Sequence, residues 1–167
     1  MLKLAYSYQD KLNRAWEKCV FQERFKYYNG SSCWGYKIEV DDTSLNRIQM
    51  VSVDKNDEVV GYFSACVYRE ANTVTSIGAI NFFSVNYTFS KDLFAFLENL
   101  FIVWGFDKIE WRVVVGNPAE KMYDKIVEKY NGRIVGVSRR AVKIHGGMYD
   151  EKLYEVFRDD YLANIKK

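Results

Sequence analysis

Apolar and polar positions change period along the chain, and these changes predict an order of strands and helices. Residues 2–6 suit a short first strand. Over residues 9–27, apolar side chains recur at helical spacing with charged ones between them, which predicts an amphipathic helix. Its stripe consists of Leu12, Trp16, Cys19, Val20 and Glu23, of which only the last is polar. Residues 28–42 are predicted to be a loop.

Three strands are predicted next, over residues 48–54, 59–70 and 73–85. The Lys-Asn-Asp run at 55–57 has turn chemistry, and a second turn falls near Asn72. The three strands therefore form an antiparallel meander. They are apolar on both faces, as expected for a sheet that helices cover on each side.

A second helix is predicted over residues 90–104, with Ser90 as its N-cap and Gly105 as the glycine after its end. A strand over 107–115 follows. It carries Ile109, Trp111 and Val113 on one face, whereas Glu110 and Arg112 lie on the other.

The start of the third helix is the sharpest local signal. Asn117 is a preferred N-cap, Pro118 suits the first helical position, and Glu120 lies where a capping box needs it. The helix has a buried stripe and ends at Asn131–Gly132. The stripe consists of Met122, Tyr123, Ile126, Val127 and Tyr130.

Two final strands, 133–144 and 152–158, are joined by a hairpin turn at 145–148. The whole order is β, α, three β, α, β, α, two β. It predicts one α/β domain over residues 1–167, with a mixed, mostly antiparallel sheet and helices on both faces.

Composition narrows the classes of function. The net charge is +2 and no basic block is present, so nucleic-acid binding is not expected. Three cysteines without ligand spacing and one histidine do not make a metal site. Reduced thiols and the lack of a signal-like N-terminus predict a cytoplasmic protein. The most apolar stretch, residues 93–103, is too short for a membrane span.

Three segments resemble the GCN5-related N-acetyltransferase family, in order and spacing, over roughly residues 45–160. They are DKNDEVVGYFSACV at 54–67, GNPAEKMYDK at 116–125, and NGRIVGVSRRAVKIHGGMYDEKLYEVF at 131–157. Two departures accompany the likeness. The family asparagine of the second segment falls on Gly116, and residues 84–93 lack the glycines of the family's pyrophosphate loop.

The resemblance implies the acyl-CoA N-acyltransferase fold, acetyl-CoA as co-substrate and an amine as acceptor. It assigns Tyr123 as the acid that protonates the departing thiolate. In the family, strands four and five splay apart and the pantetheine arm lies along strand four, here residues 81–85. The implied cofactor-binding residues are Phe83, Ser84, Val85, Thr88, Ser90, Lys91 and Asn117.

The implied acceptor-binding residues are Trp34, Tyr36, Asn81 and His145. No general base is identified, and an ordered water would serve. The acceptor is a small molecule or a protein, and the choice between monomer and homodimer stays open. An alternative of another class is an acetyltransferase fold without catalysis that binds a ligand or a protein. The glycine-free loop favours that alternative, and Tyr123 in its motif favours the enzyme.

Overall fold

The computed structural model describes residues 1–29 and 37–165. Its centre is one seven-stranded mixed sheet in the order β1-β2-β3-β4-β5-β7-β6. The strands are β1 (Leu2–Leu4), β2 (Arg47–Val53), β3 (Val59–Tyr68), β4 (Thr73–Asn81), β5 (Lys108–Val114), β6 (Arg133–Ile144) and β7 (Gly147–Phe157). The helices are α1 (Gln9–Glu17), α2 (Lys26–Asn29), α3 (Tyr87–Glu98), α4 (Glu120–Lys129) and α5 (Arg158–Asn164). The predicted fold class is confirmed.

The two faces of the sheet carry two separate clusters of buried side chains. On one face, α3 and α4 cover β3, β4 and β5, with Phe63, Ala79 and Trp111 among the buried residues. On the other face, α1 covers the β2–β4 half, with Trp16 and Tyr62 at its centre. This double burial explains why the strands of the meander are apolar on both faces.

The helix predicted over residues 9–27 is wrong in its second half. α1 ends at Glu17, a turn and a 3₁₀ segment at Glu23–Phe25 follow, and α2 begins at Lys26. A continuous helix would place Phe25 about 13 Å along the axis from Trp16. Instead the chain folds back, and the Trp16 and Phe25 rings meet edge to face at 5.5 Å. Packing around Trp16 therefore overrides the helical period.

The strand predicted over 73–85 ends four residues early. The Asn81 side chain accepts a hydrogen bond from the Phe83 amide at 3.1 Å, and this local turn stops the strand. The chain continues as an exposed bend through Ser84 and Val85 to Asn86. No glycine or proline marks this end, which is why the pattern alone extends it too far.

The predicted N-cap of the second helix is also wrong. α3 begins at Tyr87, and Asn86 is its N-cap, because the Asn86 side chain accepts from the Phe89 amide at 3.1 Å. Ser90 lies inside the first turn. This earlier start buries the Phe89 ring over Gly61, where a Cβ atom would overlap it. The helix continues as a π-helical turn and ends at Gly105, whose φ of 70° confirms its predicted role.

The third helix lies where it was predicted, with a shifted start. α4 begins at Glu120 with Ala119 as N-cap, so Asn117 is not the N-cap. The Asn117 side chain instead accepts from the Ala119 amide, and the Glu120 carboxylate accepts from the Gly116 amide, both at 2.9 Å. The predicted stripe is buried except for Met122, which is partly exposed.

The last two strands form a tight hairpin. His145 and Gly146 make its two-residue turn, with φ of 47° and 85°, the left-handed geometry that such turns require. β7 therefore starts at Gly147 rather than at residue 152. α5 was not predicted. Its Tyr161 stacks on Phe101 with ring centroids 4.6 Å apart, which fixes the helix against the end of the π-helical turn.

Candidate active site

β4 and β5 are parallel neighbours that separate almost at once. Only Thr73 with Lys108 and Val74 with Ile109 are paired between them. Beyond these pairs the two strands diverge toward their carboxyl ends and leave a gap in the sheet. The predicted splay of strands four and five is thus present, and it starts near the beginning of both strands.

The side of β4 that faces this gap presents free strand edge. The Phe82 amide bonds to the Val60 carbonyl, which sets the alternation of the β3–β4 ladder. By that alternation the backbone groups of Ile77, Ala79 and Asn81 point toward the gap. The predicted cofactor edge therefore moves from 81–85 to 77–81, because residues 83–85 are no longer strand.

Two helices begin at the mouth of the gap. α3 starts five residues after β4 ends, and α4 starts five residues after β5 ends. Their first amides and the positive ends of their dipoles thus lie beyond the carboxyl ends of the diverging strands. Ligands of open α/β sheets bind in such a crevice, and helix N-termini suit phosphate groups.

Tyr123 projects from α4 into the buried layer against β5. Its ring meets the Trp111 ring edge-on at 5.8 Å and the Tyr154 ring at 6.1 Å. Burial first, and then the nearby Tyr28 and Tyr154, raise the pKa of Tyr123 above the ordinary value. The side chain therefore keeps its proton at neutral pH. Among the described residues the Tyr123 hydroxyl has no hydrogen-bond partner, so its proton is available to a ligand.

Trp111 carries a buried donor without a partner. Its side chain lies on β5 two residues past the last β4–β5 pair, and its Nε1 has no acceptor in the part of the chain that the structure describes. Buried donors are normally hydrogen-bonded, and an unsatisfied one costs about 1–3 kcal/mol. An indole N–H beside the Tyr123 ring is thus a second donor that a bound carbonyl would satisfy.

A groove of about 820 Å³ lies on the opposite face of the sheet. Its floor consists of small side chains at directly paired positions of β3 and β4, Ser64 with Gly78 and Cys66 with Ser76. The groove extends across the gap to β5 and β7, where Arg112 and Glu151 form an ion pair at 3.4 Å. A volume of this size accommodates a small organic ligand.

Tyr28 connects the groove with the gap. The residue lines the groove, and its hydroxyl donates to the Ala79 carbonyl on the free edge of β4 at 2.8 Å. Burial raises the pKa of Tyr28 to about 12, and Tyr28 in turn raises the pKa of Tyr123. Tyr28 thus lies on the groove side of the gap, whereas Tyr123 lies on the helix side.

The end of the β6–β7 hairpin lies beside α2. The Tyr27 and Tyr149 rings meet edge to face at 6.5 Å, and the Tyr27 hydroxyl donates to the Gly116 carbonyl at 2.9 Å. His145 at the hairpin turn is exposed and lies near Glu23, whose pKa is lowered mainly by its hydrogen bond and ion pair with Lys26 and least by His145. The hairpin thus closes one side of the space around α2, as the resemblance implies for the acceptor side.

The predicted cofactor residues gather at the start of α3, apart from Asn117. Phe83, Ser84 and Val85 lie in the exposed bend before the helix, and Lys91 is exposed on the helix itself. Thr88 is partly exposed in the first turn, and the Ser90 hydroxyl donates to the Asn86 carbonyl at 3.2 Å. Asn117 lies across the gap, before α4. In this bend φ is negative throughout, so it needs no glycine.

Of the four predicted acceptor residues, the structure describes Asn81 and His145. Trp34 and Tyr36 lie outside the described residues. Asn81 uses its side-chain oxygen in the turn that ends β4. His145 lies at the hairpin beside α2.

Sequence reasoning missed several residues of the site. Tyr28 was assigned to a loop, Trp111 only to one face of a strand, and Arg112 and Glu151 received no role. α2 is only four residues long, so the helix and its pair of tyrosines leave no recognisable pattern in the sequence. Tyr28 contacts Ala79, which is 51 residues away, and Arg112 contacts Glu151, which is 39 residues away, so no local pattern encodes these contacts.

Comparisons with known proteins support the fold. No family model matches the chain, and no curated protein matches it. Solved structures do. A GCN5-related N-acetyltransferase from Brucella melitensis matches at a TM-score of 0.71 and 18% identity, over 99% of this chain and 78% of that one.

A mutant of the spermidine N-acetyltransferase SpeG from Vibrio cholerae matches at a TM-score of 0.64 and 18% identity, over 75% of this chain and 73% of that one. SpeG in complex with manganese ions matches at 0.63 and 18%, over 72% and 71%. The chain therefore has the fold of the acyl-CoA N-acyltransferases. In the described residues no helix is long and apolar enough to cross a membrane.

Proposed function

We propose that the protein is an N-acetyltransferase that moves an acetyl group from acetyl-CoA to an amine. The observation that carries this proposal is the gap between β4 and β5. Two helix N-termini flank the gap on one side, and the groove opens onto it from the other side. A two-substrate transfer needs two ligands that approach one point from different directions. The fold shared with known N-acetyltransferases supports the same activity.

The residues present fit the co-substrate. The backbone of Ile77 and Asn81 on the free edge of β4 offers hydrogen bonds to an amide-bearing arm. The first turn of α3 offers amides and the Thr88 hydroxyl to phosphates, and Lys91 in the next turn adds a positive charge. The orphaned Nε1 of Trp111 offers one more donor.

Tyr123 is the proposed acid of the reaction. Acetyl-CoA supplies an activated thioester, and attack by an amine on its carbonyl develops negative charge on oxygen and then on sulfur. An amide of the β4 edge donates toward the oxygen. Tyr123, held protonated by burial, donates its hydroxyl hydrogen toward the departing sulfur.

The amine must lose a proton during the reaction. The groove holds two carboxylates, Glu39 and Glu151, and we assign to Glu151, which lies beside Arg112 of β5, the role of accepting that proton through water. Tyr28 lies between the groove and the gap, where it positions the β4 edge through its bond to Ala79. The acceptor class stays an amine on a small molecule or a protein, and the proposed location is cytoplasmic.

The alternative is a non-catalytic fold that binds a ligand. What favours it is the exposed bend of residues 83–85 without glycine, where backbone approach to phosphate is limited by side chains. The same bend has no strained geometry, so the missing glycines do not by themselves exclude phosphate. Binding of the co-substrate and acetyl transfer to an amine together decide between the two functions.

Thermal unfolding with and without millimolar acetyl-CoA is the deciding experiment. A ligand at about 1,000 times its Kd stabilises the fold by about 4 kcal/mol. For a chain of this length we expect Tm to rise by roughly 8–16 °C. The nucleotide part of CoA, which lacks the pantetheine arm and its thioester, serves as the matched ligand control.

No rise in Tm, together with no heat in a calorimetric titration, would contradict the acetyltransferase and leave the binding module. A rise with acetyl-CoA but no transfer to any amine would support binding without catalysis.

A further inference from the structure

The charges that line the groove carry an inference about the acceptor, and it rests on the proposed function. Five charged side chains line the groove: Lys37, Glu39, Arg47, Arg112 and Glu151. Arg112 and Glu151 neutralise each other at 3.4 Å. Among the described residues Lys37 and Arg47 form no ion pair. The pKa of the nearby Asp41 is lowered chiefly by its hydrogen bonds from Thr43, and Arg47 contributes least. The groove therefore offers two unpaired cations against one unpaired carboxylate.

The position of Arg47 sets the distance between the cationic end of the groove and the gap. Arg47 is paired with Cys66, and Cys66 is paired with Ser76, so the three side chains stand in one row across β2, β3 and β4. Arg47 thus lies two strand spacings, about 10 Å, from β4. From Ser76 to Ala79, where Tyr28 touches the free edge, the strand advances roughly another 10 Å. The cationic end of the groove and the gap are therefore well separated.

The floor between them is small and polar. Ser64, Cys66, Ser76 and Gly78 leave room for a chain that lies flat on the sheet. Gln49 offers no free donor, because its side-chain amide already donates to the Tyr62 hydroxyl at 2.7 Å and to the Glu39 carbonyl at 2.9 Å. A polyamine laid along this floor would place a second ammonium group beside Arg47, which Coulomb repulsion disfavours.

We propose that the acceptor is an amine that also carries a carboxylate several methylene groups away from the reacting nitrogen, and that Arg47 binds this carboxylate. A guanidinium offers a carboxylate two parallel hydrogen bonds, which fixes the far end of the acceptor. The amine at the other end then reaches the gap beside Tyr28. Arg47 is a specificity-determining residue, and the fold likeness to a spermidine enzyme does not extend to the acceptor.

Acetyl transfer to a matched series of amines tests the proposal. The acceptors are 6-aminohexanoate, n-hexylamine of similar length without the carboxylate, spermidine, and the shorter glycine. We expect 6-aminohexanoate to have the highest kcat/KM, about tenfold or more above n-hexylamine, because only 6-aminohexanoate can form charge-assisted hydrogen bonds with Arg47. In Arg47→Gln this ratio should fall about tenfold, and in the exposed-strand control Arg139→Gln it should not change.

A charge reversal sharpens the test. Arg47→Glu should shift the preference from 6-aminohexanoate toward 1,5-diaminopentane, because the groove then receives a second ammonium group. Equal rates for 6-aminohexanoate and n-hexylamine, a preference for spermidine in the unmodified protein, or glycine as the best acceptor would each overturn the inference and leave acetyl transfer intact.

A binding measurement separates this inference from the proposed function. Saturation-transfer NMR of 6-aminohexanoate with the protein alone needs no turnover. If acetyl-CoA does not bind but the NMR signal appears and is lost in Arg47→Gln, the acceptor class is supported and only the enzyme fails. If the signal is missing, or persists in Arg47→Gln, the inference is overturned whatever the enzyme does.

Discussion

The two sides of β4 differ sharply in how far they are paired with a neighbouring strand. Toward β3 the strand is paired from Thr73 to Asn81, with one irregularity near Val67. Toward β5 it is paired for two residues only. The first side joins two strands that helices cover on both faces. The second side leaves backbone groups of β4 unpaired. It also leaves the Trp111 Nε1–H and the Tyr123 hydroxyl without hydrogen-bond partners among the described residues.

The difference distinguishes the part of the sheet that stabilises the fold from the part that presents reactive groups. The β3–β4 side combines a full ladder with dense aromatic packing. The β4–β5 side gives up pairing along most of its length, and Tyr28 replaces one lost strand contact with a side-chain hydroxyl. Substitutions on the paired side should therefore lower the free energy of unfolding, whereas substitutions at the gap should change ligand binding or turnover.

The largest expected effect is on the paired side, at Phe63. This ring is fully buried on β3 and stacks on Phe89 at 4.9 Å and on Phe96 at 5.4 Å. Phe63→Ala should lower the free energy of unfolding by about 3–5 kcal/mol, because it removes buried surface and leaves a cavity. Urea denaturation at 25 °C measures the change.

The control is Phe21→Ala, the same change at a ring that is 81% exposed, which should be nearly neutral. A loss below about 1 kcal/mol for Phe63→Ala would show that the paired side is not where stability resides.

The second effect, at the gap, should separate turnover from stability. Tyr123→Phe keeps the ring against Trp111 and removes one hydroxyl. If that hydroxyl is the acid, turnover should fall by roughly 100-fold, whereas the free energy of unfolding should change by about 1 kcal/mol or less. Steady-state acetyl transfer and urea denaturation are measured on the same preparation.

Tyr130→Phe is the matched control, since Tyr130 is a buried tyrosine at the far end of α4. Normal turnover in Tyr123→Phe would show that Tyr123 contributes only to packing and is not the acid. A similar loss in Tyr130→Phe would mean that any buried tyrosine of this helix affects the rate.

The smallest effect is expected at Lys91, on the exposed side of the mouth of the gap. Lys91→Glu reverses one charge near the start of α3, and acetyl-CoA affinity should fall by roughly three- to tenfold, as for an exposed ion pair. The affinity of the unmodified protein should also fall with added salt. Calorimetric titration measures both, with Lys18→Glu on α1 as the control. An affinity that neither change alters would place the phosphates away from α3.

The sequence by itself determined the order of the seven strands and of α1, α3 and α4 among them, and the class of fold. Amphipathic periods located the stripe of α4, and turn chemistry located the β6–β7 hairpin and the end of the π-helical turn at Gly105. These signals are local, because a helix stripe, a cap or a tight turn is specified by residues within a few positions of one another. The motif around Tyr123 was local too, and it directed attention to the correct helix.

Only the tertiary structure decided where α1 ends, where β4 ends and how far the strands diverge. Trp16 draws Phe25 back and breaks a helix that the period would continue. The gap depends on how α3 and α4 pack beneath β4 and β5, and the groove depends on rows of residues from five strands. Such arrangements arise from contacts between residues far apart in the chain, so no periodicity or spacing within one segment encodes them.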